Sequence, residues 1–418
     1  MRATRRPAAP AVPVGDVGPT RRDVIVRPVP LAMVWQGGGS AHAAIAVPGV
    51  SLGPGDVLVA VELATVCPAD AATVRGDGAA SVPLVLGHEQ VGRVAAIGDG
   101  AATTDGGRLV VGMRVVWSRR IGCGACDACL AESPSRCASA REYGADRLRR
   151  GWELSGGFAT HVLVRAGTAI IAVPEIVPAA VLAPVPCATA LAAAAVEEVL
   201  AATEVDGEEV VVRGADLVGL TAAAMLTDEG ARVVVVDADR VRRSRARAFG
   251  AVAAVADMET VVEAGRSFAA VIEVRHEPGH AGVSGTSGGG GEDHPTAGHR
   301  ADGFVSSGGA LTADGVLALI AHAHGPAATR RSTAERSVPG TRSVDAHAGG
   351  ALDDRVVVIE RPDPRHLASA VAFVSNAWYR YPLEELVSVR YPLERLDDAL
   401  RAATEGTALR VGIETASR

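Results

Sequence analysis

The sequence predicts an α/β protein of two units, a small irregular β-barrel followed by a doubly wound parallel sheet. Short valine-rich runs separated by Gly-Pro turns fill the first part of the chain, strands alternate with helices beyond Cys187, and a four-cysteine array interrupts the first pattern. At 418 residues the chain suits two cores with some excess. Hydrophobic residues make up 48% but aromatics only 3%, so those cores must be packed from Ala, Val and Leu.

Residues 1–30 are rich in Pro, Arg and Ala without a helical or strand period, and read as a disordered extension. Few hydroxyls and no amphipathic face argue against a transit peptide there. The stretch 31–66 contains VPGVSLGPGDVLVAVELATV, the pattern of barrel strands and turns, and further strands are expected at 90–97 and 114–117. The first unit is assigned to 31–186, with the cysteine lobe at 118–140 inside it.

The second unit is assigned to 187–375. An alanine-rich helix at 188–202 leads to a strand at 209–213, a helix at 217–229, a strand at 232–237 and a helix at 241–249; strands at 269–274, 315–320 and 355–359 and a helix at 364–375 continue it. Such alternation implies a parallel sheet. Two stretches, 276–303 and 322–353, are rich in Gly, Ser, His and Thr, carry no hydrophobic period, and read as long mobile loops. The segment 386–413 supplies strand, helix and strand.

A formal charge of −7 argues against a general nucleic-acid binder. The best uncharged run, 179–196, is mostly alanine and is broken by Pro184 and Pro186, so no membrane span is expected. These features fit a soluble cytoplasmic protein in a reducing compartment.

Cys123, Cys126, Cys129 and Cys137 form a C-x2-C-x2-C-x7-C array. Two-residue gaps let thiolates converge on one tetrahedral ion at about 2.3 Å, and four protein ligands close the shell, so the site reads as structural zinc. The alternatives are a disulfide pair or free buried cysteines; adjacent C-x2-C pairs bridge poorly across so short a loop. The remaining cysteines, Cys67 in TVCPAD and Cys187 in PVPCATA, join His88 in LGHEQVG as candidates for an open, three-ligand site. Taken singly, each reads equally as a buried or hydrogen-bonded core residue.

In this order, with the cysteine lobe between the second and third, the set resembles the zinc-dependent medium-chain alcohol dehydrogenases. The resemblance implies a GroES-like barrel embracing a Rossmann domain, with 376–418 returning to the barrel, and an active site in the cleft between. It implies two zinc ions per chain, one held by Cys67, His88 and Cys187, the other by the four-cysteine lobe. Asp70 falls where the family places an acid that accepts a hydrogen bond from the zinc-bound imidazole, and Glu89 follows His88 as a supporting carboxylate. An open zinc site acidifies a hydroxyl and favours the loss of hydride from its carbon.

The hydride acceptor is expected at VVVRGADLVGL, which resembles the dinucleotide fingerprint, with Gly214 at the tight turn and Gly219 at the helix–sheet contact. Asp237 would accept the ribose hydroxyls and favour NAD over NADP, and Arg410 falls where relatives carry a basic residue that reaches the pyrophosphate. The family further implies a small alcohol or carbonyl substrate and a homodimer or homotetramer.

The chain departs from the pattern in two respects. Asp216 replaces the middle glycine of the fingerprint, where repulsion from a phosphate at 4 Å would cost roughly 1 kcal/mol in water and about 4 at an intermediate dielectric. The residues two and five after Cys67 are Ala69 and Ala72, where the family commonly has a hydroxyl and a histidine that relay the proton. Two classes of function follow: a zinc-dependent, NAD-linked alcohol or polyol dehydrogenase, or a degenerate homologue that binds or regulates. The run 83–195, with GHE, VVWS, GWELSGGFATH and CATA, most resembles the alcohol dehydrogenases associated with phosphonate catabolism; Arg119, four residues before Cys123, falls where relatives place a pocket-lining side chain that could pair with a phosphonate or carboxylate, and a solvated Arg119–Arg120 pair is the alternative.

Overall fold

Valine-rich strands build two seven-stranded sheets. The computed structural model describes residues 21–77, 80–131, 133–264, 266–275, 311–321, 341–342, 356–359, 361–406 and 408–415. The first sheet runs in the order Ile170–Ala172, Arg114–Trp117, Glu89–Ile97, Val57–Val66, Val411–Glu414, Val389–Pro392, with His161–Val164 also paired to Val57–Val66. Ten-residue Val57–Val66 is the spine: it pairs with Glu89–Ile97 along one edge and with His161–Val164 and then Val411–Glu414 along the other. The C-terminal strands thus complete a sheet begun more than 300 residues earlier, at Leu63 opposite Glu414.

Part of the expected 1–30 extension carries a strand. Arg22–Val24 is a short strand paired antiparallel with Val50–Leu52, and the Arg21 guanidinium bonds Ser51. The partner lies some thirty residues away, so no local period announces it.

The second sheet runs Ala253–Val255, Arg232–Val236, Glu209–Arg213, Phe268–Arg275, Leu311–Ala321, Val356–Ile359, all parallel, and ends on antiparallel Thr341–Arg342. The chain moves outward from Glu209–Arg213 in one direction, then restarts beside it with Phe268–Arg275. That reversal opens a crevice at the carboxyl ends of the two strands, where ligands of such sheets bind. Val210, Val211 and Val212 are wholly buried, each stabilising the sheet by about 1.5–3 kcal/mol. The expected loop at 276–303 lies outside the described residues. So does 322–353, apart from Thr341–Arg342, which is strand rather than loop.

The helices Ala190–Ala202 and Leu217–Asp228 pack on one another and bury their runs of alanine in one core, as the shortage of aromatics demands. The stretch Val185–Ala202 is long and apolar enough to cross a membrane, but 78% of it is buried inside the protein.

Candidate active site

Three separate elements deliver the first donor set. Cys67 precedes the helix Pro68–Arg75, His88 sits just ahead of the strand Glu89–Ile97, and Cys187 lies in a π-helical turn, Val185–Thr189. Pro186 has no N–H to give and the Thr189 amide reaches back to the Pro184 carbonyl at 3.3 Å, which widens the turn that carries Cys187. The donor atoms of Cys67, His88 and Cys187 lie within 4.8 Å of one another, and the residues are 0%, 1% and 3% exposed.

Asp70 organises this set from below. Its Oδ2 accepts the Cys67 amide at 2.9 Å, its Oδ1 the Gly87 amide at 3.3 Å, and the same oxygen stands 3.4 Å from His88 Nδ1. That contact fixes Nδ1 as the protonated nitrogen and turns Nε2 toward the two sulfurs. Against burial and the nearby Arg119, Asp70 and Cys67 push the His88 imidazole up to about 9. The Cys67 thiol is pushed well up by its contact with Cys187 and by burial, because two buried thiolates side by side need a cation. Two soft sulfurs and an oriented imidazole, enclosed and lacking only a compensating charge, fit zinc with one position left over.

Glu89 acts electrostatically on Cys67 and spends its hydrogen bonds elsewhere. Its Oε2 accepts the Thr65 hydroxyl at 2.7 Å and Arg410 Nε at 3.1 Å, with Arg410 Nη2 3.4 Å from Oε1. Both charges are buried, at 0% and 3% exposure. Burial opposes the Arg410 cation, but Glu89, then Cys67 and Asp216, more than offset it and push its pKa up. The pyrophosphate role expected of Arg410 therefore takes second place to a buried ion pair, because the strand Val411–Glu414 sets Arg410 alongside Glu89.

The four-cysteine array also closes. The donor sulfurs lie within 4.8 Å of one another, Cys123 Sγ is 4.0 Å from Cys129 Sγ, and the Cys123 amide donates to Cys137 Sγ at 3.4 Å. All six cysteines are free. A tetrahedron with bonds of about 2.3 Å has edges of about 3.8 Å, so the spacing is that of a metal cage and double that of a disulfide. A Cβ on Gly122 would stand 2.6 Å from Cys129 Sγ, so only glycine fits there. The amides of Ala125 and Cys126 pull the Cys123 thiol down to about 6. Against the Gly124 amide, desolvation and the neighbouring sulfurs push Cys129 up to about 11. This too is a thiol cluster that fits zinc.

The dinucleotide loop follows the strand Glu209–Arg213. Gly214 holds φ +108°, and a Cβ on Gly219 would fall 1.8 Å from the Gly214 carbonyl oxygen, so the turn and the helix contact both require glycine. Asp216 caps the helix Leu217–Asp228: its Oδ1 accepts the Gly219 amide at 2.9 Å. The residue that reads as a repulsive charge in sequence is a helix cap in three dimensions. Asp237 is likewise committed, its Oδ2 to the Ala215 amide at 2.7 Å and Arg242 Nε at 3.3 Å, its Oδ1 to the Asp239 amide at 2.8 Å. Any ribose hydroxyl has to compete with those bonds.

Beside Cys187 lies a pocket of about 40 Å³, lined by Ala69, Arg119, Glu142, Leu191 and Arg361 among others. Room for about three waters is also room for the reacting end of a small molecule. Arg119 projects into it with Nη1 3.5 Å from His88 Nε2 and Nη2 3.3 Å from Glu142. Sequence reasoning missed Glu142 and Arg361, which sit in no motif. It also missed Asp363, although the run RPDPRH carries a helix-start signal; its carboxylate accepts the Ser133 hydroxyl and the Ser135 amide, both at 3.0 Å, and so joins the cysteine lobe to the helix Pro364–Ala377.

Residues 53–175 match the family model described as the alcohol dehydrogenase GroES-like domain. A 5-exo-hydroxycamphor dehydrogenase of Pseudomonas putida is 25% identical over 87% of this chain and 92% of its own length. An L-threonine 3-dehydrogenase of Aeromonas salmonicida (strain A449) is 31% identical over 50% of this chain, a match that spans 57% of that enzyme. Among solved structures, an alcohol dehydrogenase from Thermotoga maritima superimposes with a TM-score of 0.74 at 22% identity, covering 92% of this chain and 99% of its own. Residues 53–175 thus form an alcohol dehydrogenase GroES-like domain, and the chain as a whole is similar in fold and sequence to the medium-chain alcohol dehydrogenases.

Proposed function

We propose that the protein is a zinc-dependent dehydrogenase that moves hydride between a small alcohol and NAD. The observation that carries this reading is the convergence of Cys67, His88 and Cys187, three buried donors with a pocket beside Cys187. Zinc held there would acidify a substrate hydroxyl or polarise a carbonyl. Asp70 keeps the His88 imidazole in register. Gly214 and Gly219 give the nicotinamide cofactor its close approach to the sheet, and Asp237 with Arg242 stands where its adenosine ribose would lie. The four-cysteine lobe would hold a second, structural zinc.

The proton of the alcohol needs a route. Ala69, on the pocket wall, offers no hydroxyl. Glu142 is a poor base: burial raises its pKa, but Arg119, Arg120 and Arg361 outweigh that and hold the carboxyl below the usual range. We assign the proton's exit to water at the pocket mouth, with Arg119 favouring the deprotonated substrate oxygen as a fixed neighbouring cation.

A second reading, a homologue that has kept the fold and lost turnover, draws on Asp216. Its carboxylate occupies the helix N-terminus, the place where a phosphate is otherwise received. Fluorescence titration of NADH into the zinc-loaded wild type and Asp216→Gly separates the two. Micromolar binding by the wild type, with reduction of NAD in a screen of short alcohols, supports the enzyme. Binding only after the substitution supports the degenerate homologue.

A further inference from the structure

Two residues past the strand Arg114–Trp117, Arg119 brings a cation up to the three-donor set. Its Nη1 stands 3.5 Å from His88 Nε2 and its Nη2 3.3 Å from Glu142 Oε2. Burial works against the charge, while Glu142, then Cys187, Cys67 and Asp70, hold it in place. Two of those four are the sulfurs that would ligate a metal. At 21% exposure the side chain is no solvated surface arginine, and its buried Nε–H bonds to nothing among the described residues. The guanidinium is therefore held at its Nη ends, by the ring on one side and the carboxylate on the other. Arg120 Nη1 bonds Glu142 Oε1 at 2.6 Å and Arg361 Nε lies 3.8 Å from the same oxygen, whereas Oε2 faces Arg119.

Entry of a metal separates these two contacts. An imidazole whose Nδ1–H faces Asp70 has one lone pair left, on Nε2. A metal takes that lone pair from about 2.0–2.1 Å, inside the 3.5 Å at which the guanidinium stands, so one excludes the other. On the reading of Cys67, His88 and Cys187 as a metal site, we propose that Arg119 is the metal's built-in competitor: it guards His88 Nε2 and the two sulfurs until a divalent cation drives it back onto Glu142. The guard keeps the sulfurs and the ring together beside a positive charge, and it lowers the affinity of the site, so the metal there is exchangeable. Thiol protons displaced by the metal pass to water.

The test uses the whole chain, loaded with zinc and titrated with a chromophoric chelator that removes the two ions in two steps; the step lost in Cys187→Ser marks the guarded site. In Arg119→Met, which keeps the stem and removes the charge and the donors, zinc at that site should be held at least about tenfold tighter, with the other step unmoved. Arg119→Lys, charged but shorter, should fall between. Glu142→Gln takes away the resting place of the guanidinium. It should weaken zinc binding in the wild-type background and much less in the Arg119→Met background, a non-additivity that a merely structural role would not produce. Cobalt(II) in place of zinc should give the same order, read from its sulfur charge-transfer absorption. Circular dichroism confirms folding, and should Glu142→Gln fail to fold, Arg119→Met against wild type decides alone. Equal affinity in wild type and folded Arg119→Met, or a weaker site in the variant, overturns the guard; reduction of NAD by an alcohol in those proteins would leave the dehydrogenase reading in place. A tighter site in the variant with no reduction of NAD by either protein leaves the guard standing and overturns the dehydrogenase reading. No zinc step at this site in wild type or variants overturns both.

Discussion

Replacing Glu89 by glutamine removes the counter-charge of Arg410 while keeping the shape of the side chain and an acceptor for the Thr65 hydroxyl. The pair is 3.1 Å apart and both members are buried. At that separation an effective dielectric near 20 gives an attraction of about 5 kcal/mol. Asp216 and Cys67 also attract the guanidinium and retain part of it, so the net loss should be about 3 kcal/mol, at the lower end for a severed buried ion pair. For a unit of this size the midpoint of thermal unfolding should drop by about 6–12 °C. Three of the four tryptophans, Trp35, Trp117 and Trp152, are buried in the barrel core, so their fluorescence during urea or thermal unfolding reports on this unit. The double variant Glu89→Leu with Arg410→Met should recover most of the loss, because no stranded charge remains. A single-variant loss under about 1 kcal/mol, or a double variant whose cost is the sum of the two singles, would refute the assignment of this pair as a mutually dependent buried ion pair.

The other expectations concern the metals and the cofactor loop. Asp70→Asn should lower zinc affinity at the Cys67, His88 and Cys187 site by about 10–100-fold in a chelator competition, with the four-cysteine site unaffected. Cys126→Ser should reduce bound zinc from two ions to one per chain by elemental analysis, and should open residues 118–140 to limited proteolysis. Unchanged metal content would contradict the cage. Gly219→Ala puts a Cβ 1.8 Å from the Gly214 carbonyl oxygen, so the helix must shift; NADH binding should be lost, and retention of wild-type affinity would show that the loop is not the cofactor site.

Much of the parallel sheet was readable because its strands are continuous valine runs bounded by glycine and charge. Glu209–Arg213 has the expected limits, and Arg232–Val236 stops one residue short of Asp237. The cysteine cage was readable because all its ligands are local. Cys67, His88 and Cys187 meet only through tertiary structure, and it was the family resemblance rather than any period that grouped them. What stayed hidden depended on where side chains point. Asp216 carries the same charge whether it faces a phosphate or caps its own helix, and only the backbone angle at the turn distinguishes the two. The sharing of Glu142 by Arg119, Arg120 and Arg361 joins positions more than two hundred residues apart, beyond any local spacing rule.

The carboxylate of Asp363 has one further implication. It ties the loop between Cys129 and Cys137 to the start of a helix in the nucleotide unit, so the sulfur cage is a fastener between the two halves as well as a local staple. Whatever disorders the four sulfurs would then be felt beyond their own loop, as a loosening of the seam between the barrel and the parallel sheet.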